Sequence, residues 1–195
     1  MCWQKRTKHL TEQEAIKKIV AGDSEAFGVL YDMYIERIYR FVYFRTHHKQ
    51  TAEDLTSIVF TKAFSKFGSF DTRVSFSTWI FSIARNTCID FYRTAKPVAD
   101  LETAPDVAEP SNLARDYELR EKVQQVKAYL ETLAPDQREL VIMRLWEGFS
   151  YDEIARITGK KSANLRVTFS RIIARMQKEI TFALILFAII FKKYL

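Results

Sequence analysis

Apolar residues recur at steps of three and four along most of the chain, which is the spacing of amphipathic helices. In the clearest stretch, residues 24–46, the apolar positions are Phe27, Leu30, Tyr31, Tyr34, Ile38, Phe41 and Val42. This pattern predicts one helix from Ser24 to Thr46. Before it, Thr11 and Glu14 have the spacing of a capping box, which predicts a short helix that stops near Gly22.

Two further helices are predicted in the first half of the chain. Thr51, with Asp54 as its capping partner, is expected to open a third helix that ends at Gly68. The residues expected on its apolar face are Leu55, Ile58, Val59, Ala63 and Phe64. Residues 69–77 are expected to form a loop, and Thr78 to Arg93 a fourth helix. Its inward residues are predicted to be Trp79, Ile80, Ile83, Ala84 and Ile89.

The composition changes abruptly after the fourth helix. Residues 97–118 hold three of the four prolines and six acidic residues against one basic residue. We therefore expect a flexible acidic linker over residues 97–115. It would join a first domain, residues 1–96, to a second domain, residues 116–179. A nearly all-apolar tail, residues 180–195, follows.

The second half has the pattern of a helix-turn-helix. Pro135 suits the first turn of a helix that ends at Gly148. Ser150 and Glu153 form another capping box for a short helix, Gly159 supplies the turn, and a last helix begins near Ser162. The residues expected to be buried between these two helices are Ile154, Ala155, Ile157, Leu165, Phe169 and Ile172.

Composition agrees with an all-α fold of two small helical domains. The chain has only 5 Gly and 4 Pro, too few for a turn-rich β-sandwich. Cys2 and Cys88 cannot form a disulfide framework, and no Cys/His cluster has zinc spacing, so no metal is expected. Because no phosphate-binding glycine loop or nucleophile elbow is present, we expect neither a cofactor nor enzymatic activity.

The charge points to a polyanionic partner. The chain has 30 Lys+Arg against 24 Asp+Glu, a net charge of +6. Residues 157–178 carry six basic residues and no acidic one: Lys160, Lys161, Arg166, Arg171, Arg175 and Lys178. Such a helix suits DNA phosphates, with one or two side chains reaching base edges. On periodicity alone, a solvated basic face of an ordinary bundle helix stays an open alternative.

Several strings of residues occur in a characteristic order. The first half contains AEDLT (52–56), FTKAF (60–64), STWI (77–80) and IARNTCIDFYR (83–93), and the second contains LAPDQRE (133–139) and EGFSYDEIA (147–155) before the basic helix. With these motifs on either side of an acidic linker, the chain resembles a bacterial sigma factor of the extracytoplasmic-function group over residues 14–179.

The resemblance implies a subunit without catalysis that directs core RNA polymerase to specific promoters and assists DNA opening. In that family, region 2 binds the polymerase and the −10 element, and region 4 binds the −35 element. By position, Asp54 and Leu55 would bind the polymerase. Asn86 would receive an unpaired −10 base, with Phe70 or Phe76 beside it.

The remaining site residues implied by the resemblance contact DNA. Arg85 and Arg93 would contact the −10 backbone. Arg166 and Arg171 would meet the −35 major groove, with Arg175 and Lys160 or Lys161 on phosphate. The chain departs from the family pattern at Ser57-Ile58, Lys160 and Thr168.

Two alternatives and one possible partner stay open from the sequence. The runner-up function is a helix-turn-helix regulator that binds duplex operators without polymerase docking. Asn86 could be a plain surface amide. The resemblance also leaves open an anti-sigma factor as a partner.

The chain is expected to be cytoplasmic, because no apolar run follows its basic start. The twelve residues 180–191, nearly all of them apolar, make about 18 Å of helix, too short for about 30 Å of bilayer hydrocarbon. The tail, Ile180 to Leu195, is therefore expected to pack in a groove of its own domain or a partner, to attach to a membrane surface through Lys192 and Lys193, or to insert into the membrane at a tilt.

Overall fold

The structure is a computed structural model that describes residues 10–94 and 128–179. All regular elements in these two ranges are helical, which confirms the predicted all-α class. The chain divides into two compact units, Met1–Ala104 and Pro105–Leu195. The predicted linker 97–115 and the tail 180–195 lie outside the described residues, as does the beginning of the predicted second domain.

Over residues 10–94, the first unit forms a bundle of four helices: α1 (Glu12–Val20), α2 (Phe27–Thr46), α3 (Lys49–Lys66) and α4 (Phe76–Thr94). Short 3₁₀ turns, Ser24–Ala26 and Phe67–Ser69, precede α2 and follow α3. Helices α2, α3 and α4 pack on one another, and the core between them is closed by the edge-to-face rings of Phe41 and Phe81, 5.2 Å between centroids.

Helix α1 begins as its capping box predicts. The Thr11 hydroxyl accepts a hydrogen bond from the Glu14 backbone N–H, and Glu14 Oε2 accepts one from the Thr11 N–H at 2.8 Å. The hydrogen bond from the Thr11 backbone lowers the pKa of Glu14. The Tyr34 hydroxyl donates to Glu12 Oε2 at 2.5 Å, so α1 is tied to α2 by a side-chain contact as well as by packing.

The beginning of α3 differs from the prediction. His48 is the N-cap, because its Nδ1 accepts a hydrogen bond from the Thr51 backbone N–H at 3.2 Å. The expected pairing of Thr51 with Asp54 is wrong, since Asp54 instead accepts from Gln50 Nε2 at 3.2 Å, within the same first turn. The helix is thus capped by an imidazole nitrogen, whereas the sequence predicted a threonine cap.

The predicted apolar face of α3 was also too wide. Ile58 and Phe64 are 43% and 53% exposed, whereas Val59 and Ala63 are fully buried. Helix α3 packs against α2 and α4 through the narrower stripe that contains Val59 and Ala63, and Ile58 and Phe64 lie outside it.

The described part of the second unit contains helical residues 128–132 (α5), α6 (Pro135–Val141), α7 (Tyr151–Thr158) and α8 (Ser162–Glu179). Pro135 stands in the first turn of α6, as predicted. A π-helical turn, Ile142–Trp146, continues α6. Arg138 joins α6 to α5, because its Nε donates to the Leu130 carbonyl at 2.8 Å. The π turn was not predicted from the sequence.

Helices α7 and α8 form the predicted helix-turn-helix. The Ser150–Glu153 capping box is present, and α7 ends at Gly159, whose φ of 72° lies in the left-handed region. The two helices pack on each other, and the residues of these helices buried at under 5% exposure are Ile154, Ile157, Leu165, Ile172 and Met176. The predicted inward residues Ala155 and Phe169 are only half-buried.

Replacing the turn glycine tests how much its left-handed backbone matters. A Cβ at Gly159 would meet no atom within 4 Å, so Gly159→Ala introduces backbone strain without a clash. We expect Gly159→Ala to lower the free energy of unfolding of the second unit by about 1 kcal/mol. Gly159→Asn is the matched control, because Asn tolerates this conformation, and it should cost less. Equal losses in chemical denaturation would contradict the strain argument.

Candidate nucleic-acid interface

Asn86 lies on the outward face of α4, where packing leaves it free of the core. Its neighbours Thr87 and Cys88 are buried, whereas Asn86 is exposed. It opens into a surface cavity of about 330 Å³ between α3 and α4. The residues lining this cavity, which we call the α3–α4 cavity, are Lys62, Lys66, Ile83, Asn86, Thr87, Ile89 and Asp90.

The chemistry of the α3–α4 cavity suits a nucleotide. The Asn86 amide offers both a donor and an acceptor to a base edge. Two lysines on successive turns of α3, Lys62 and Lys66, bring positive charge to the same cavity, and Lys62 Nζ donates to Thr87 Oγ1 at 3.2 Å. Neither lysine was predicted from the sequence as a site residue. Their four-residue spacing on a predicted helix, which places them on one face, was a usable signal.

The two arginines predicted on α4 have different surroundings. Arg93 is exposed, and its Nη2 lies 3.0 Å from Asp90 Oδ1 in an ion pair one turn back along the helix. Arg85 is half-buried. Arg93 therefore has the access that a phosphate contact needs, and Arg85 has less of it.

The two phenylalanines predicted beside Asn86 differ sharply. Phe76 is 1% exposed and packs edge-to-face on Tyr34, with 5.1 Å between ring centroids. The ring of Phe76 belongs to the core, so of the two predicted rings Phe70 has the greater access to a base. Phe70 is half-buried in the loop before α4, and its ring centroid lies 5.0 Å from that of Trp79.

The loop next to Phe70 is held by a local ion pair. Asp71 accepts hydrogen bonds from the Arg73 guanidinium, Nη2 to Oδ2 at 2.8 Å, and from the Arg73 backbone N–H at 3.0 Å. These hydrogen bonds, the side-chain ones first, lower the pKa of Asp71 to about 2. An aspartate carboxylate is charged at neutral pH with or without this shift, and the ion pair, whose side chains are 88% and 45% exposed, adds a weak local contact to the loop.

The two residues predicted to bind the polymerase differ in exposure. Asp54 is exposed on α3, but Leu55 is 4% exposed and lies in the core. The Leu55 side chain therefore packs within the bundle, and of the two residues Asp54 has the greater access to a partner.

An apolar groove of about 700 Å³ runs between α2 and α3. Its rings include Phe27 with Phe64, 5.2 Å between centroids, and Tyr31 with Phe60, 4.7 Å between centroids. From the sequence, Phe27, Tyr31 and Phe64 were predicted to face inward, and Phe60 was noted only as part of a motif. A surface groove was not predicted. The unusual width of the apolar stripe on α3 was the available signal.

Helix α8 and the turn before it present the predicted basic face. The five residues predicted to bind DNA there are all exposed: Lys160, Lys161, Arg166, Arg171 and Arg175. Lys160 Nζ forms an ion pair with Asp136 Oδ2 at 2.7 Å, which links the turn to the first turn of α6. Arg171 and Arg175 are one helical turn apart and share a face.

Tyr151, the first residue of α7, contacts two arginines. The guanidinium carbon of Arg144 lies 4.8 Å from the Tyr151 ring centroid, and that of Arg166 lies 5.3 Å from it. Both distances are those of cation–π contacts. The sequence analysis missed this cluster, because its members are far apart along the chain.

The described residues contain neither a metal-ligand group nor a membrane-spanning helix. Within residues 10–94 and 128–179, no group of three or more His, Cys, Asp and Glu side chains is placed to hold a metal ion. Over the same ranges, no helix combines the length and the apolar character needed to cross a bilayer.

Comparison with known proteins identifies both units. Residues 30–98 match the family described as Sigma-70 region 2, and residues 123–176 match Sigma-70, region 4. The sigma factor YlaC of Bacillus subtilis is 30% identical over 164 residues, which cover 78% of this chain and 90% of YlaC. The extracytoplasmic-function (ECF) sigma factor BldN of Streptomyces coelicolor is 32% identical over 158 residues, which cover 78% of this chain but only 60% of BldN.

A solved structure agrees. The sigma factor RpoE of Bartonella quintana, in complex with the anti-sigma factor NepR, has a TM-score of 0.65 and 25% identity over 80% of this chain and 97% of RpoE. With both regions matched in order, the chain belongs to the sigma-70 family as an ECF sigma factor, the class of protein that gives RNA polymerase its promoter specificity.

Proposed function

We propose that this chain directs core RNA polymerase to specific promoters and helps to open them, without catalysis of its own, in the cytoplasm. Residues 1–96 bind the polymerase and the −10 element, and residues 116–179 bind the −35 element. The observation that carries the proposal is the α3–α4 cavity, which brings an exposed amide and two ammonium groups together on the first unit. A regulator that only binds duplex operators through α8 has no use for such a cavity.

The cavity receives one unpaired −10 base. Asn86 hydrogen-bonds the edge of the base, and Phe70, in the loop before α4, offers a ring face for stacking. Lys62 and Lys66 neutralise the phosphates on either side of the base. Arg93 contacts the DNA backbone once its ion pair with Asp90 opens.

The basic face of the second unit reads the −35 duplex. Arg166 and Arg171 meet base edges in the major groove, and Arg175 and Lys161 contact phosphate. Lys160 contacts phosphate by exchanging its Asp136 partner for a DNA oxygen. These contacts are charge-assisted, so their strength falls as salt rises.

The exposed carboxylate of Asp54 and the neighbouring α2–α3 groove form the polymerase contact. The groove supplies apolar area, and Asp54 supplies a charge that fixes orientation. An anti-sigma protein is a further partner, supported by the RpoE structure, in which the related sigma factor is bound to NepR.

The deciding experiment is capture of bacterial core RNA polymerase by the full chain, followed by run-off transcription on genomic fragments. Stable capture and new start sites that appear only with the chain are the expected results. Duplex DNA binding without polymerase capture would contradict the proposal in favour of an operator-binding regulator.

Single substitutions test the division of labour between the two units. Asn86→Ala should weaken binding to forked or single-stranded −10 DNA on the order of tenfold, because the base edge loses its donor and acceptor. It should leave duplex −35 binding unchanged. Arg171→Ala should do the reverse. Fluorescence anisotropy with the two DNA probes measures both, and equal losses from each variant would argue against separate sites.

Removing the partner of Lys160 should strengthen −35 binding. The exposed ion pair with Asp136 competes with a DNA phosphate, and an exposed pair is worth up to about 1 kcal/mol. Asp136→Asn should therefore tighten binding of −35 duplex by about two- to fivefold. The matched control is Asp152→Asn, which removes the same charge from an exposed position on α7. An equal gain from Asp152→Asn would attribute the effect to net charge alone.

A further inference from the structure

Tyr151 connects the supporting helix of the helix-turn-helix to the recognition helix. Its ring centroid lies 5.3 Å from the guanidinium carbon of Arg166 on α8, and its ring packs edge-on against Phe169, 6.1 Å between centroids. The contact joins the first residue of α7 to the exposed face of α8. Phe169, one turn after Arg166, holds the ring from the same helix.

The ring of Tyr151 has a second arginine contact. Arg144, in the π-helical turn, lies 4.8 Å from the ring centroid, and its Nη1 donates to the Phe149 carbonyl at 2.8 Å. The residue before Tyr151 is the N-cap Ser150, which the capping box with Glu153 holds in place. The backbone on which the ring stands is therefore tied down at two neighbouring residues.

A cation–π contact leaves an arginine able to bind DNA. The ring attracts the guanidinium as a charge and uses none of its five N–H donors in a hydrogen bond. Arg166 therefore stays exposed while one side of its guanidinium rests on a ring. A free arginine on a helix surface would sample many rotamers and lose that freedom on binding.

We propose that Tyr151 is a positioning residue that holds Arg166 in the orientation needed to read a −35 base edge. The inference rests on the proposed function, because it concerns how the same site reaches its affinity. Ordering one long side chain before binding, rather than during it, is worth about two- to tenfold in affinity. Tyr151 supplies this order without touching DNA.

The inference separates a ring that orients Arg166 from a ring that only fills space. Tyr151→Phe keeps the aromatic face and should preserve the contact. Tyr151→Leu keeps an apolar side chain but removes that face. If Tyr151 had a purely structural role, the two variants would differ in their free energy of unfolding. The effect of each variant on DNA binding would then be the same with and without the Arg166 side chain.

The first measurement uses the full chain without DNA. NMR relaxation of the Arg166 Nε–Hε group should show a restricted side chain in the wild type and in Tyr151→Phe, and a mobile one in Tyr151→Leu. Equal order parameters in all three proteins would overturn the inference. Thermal unfolding followed by circular dichroism verifies that each variant is folded.

The second measurement uses the full chain and a duplex that carries the −35 region of a promoter found in the run-off experiment. Tyr151→Leu should weaken binding by about two- to tenfold, and Tyr151→Phe should bind like the wild type. In an Arg166→Ala background, Tyr151→Leu should cause no further loss, because its effect passes through Arg166. An equal loss from Tyr151→Leu in both backgrounds would overturn the positioning role. If the wild type itself fails to bind the duplex, the proposed −35 function fails, and the wild-type titration alone reveals it.

Discussion

Burial of one face of each helix is the constraint on which both candidate surfaces depend. Helices α4 and α8, of 19 and 18 residues, are stable in water only because neighbouring helices cover their apolar faces. On α4 this covering makes Ala84 and Cys88 inaccessible and turns Asn86 outward. On α8 it takes Leu165 inward and leaves Arg166 in solvent. The side chains proposed to bind DNA therefore lie at exposed positions, where most substitutions change the free energy of unfolding little.

The turn between α7 and α8 depends on backbone conformation rather than on burial. Gly159 takes a left-handed φ of 72°, and its N–H donates to the Ala155 carbonyl at 2.8 Å, which closes the last turn of α7. At the other end of α7, the capping box satisfies the first N–H groups. Both ends of this short helix are thus fixed locally. The angle at which α8 leaves the turn then decides which of its residues face DNA, and the ring of Tyr151 adds a contact across the pair.

The helices and their caps could be predicted from the sequence because they follow from local rules, namely a 3.6-residue period and a capping pair three residues apart. Which of the predicted site residues are exposed required knowledge of packing. Phe70 and Phe76 look equivalent in a loop sequence, yet Phe76 is 1% exposed because the start of α4 turns it against Tyr34. Leu55 occurs in a family motif, but it belongs to the apolar stripe through which α3 packs on its neighbouring helices, so it is buried. The contact of Tyr151 with Arg166 joins residues fifteen apart, beyond the reach of any helical period.

The proposed base trap must overcome the free energy of unstacking a base, which is a few kcal/mol. One amide reading a base edge supplies about 1–3 kcal/mol, and stacking on one aromatic ring supplies about 1–3 kcal/mol. Asn86 and Phe70 together therefore roughly offset the unstacking, with little surplus. Lys62 and Lys66 add attraction that weakens with salt. Because the trap alone is close to balanced, the bound lifetime must come from contacts elsewhere, on the polymerase and at the −35 duplex. Under the proposed function, a modest gain in −35 affinity, such as that from an arginine ordered before binding, adds to the stability of the open promoter.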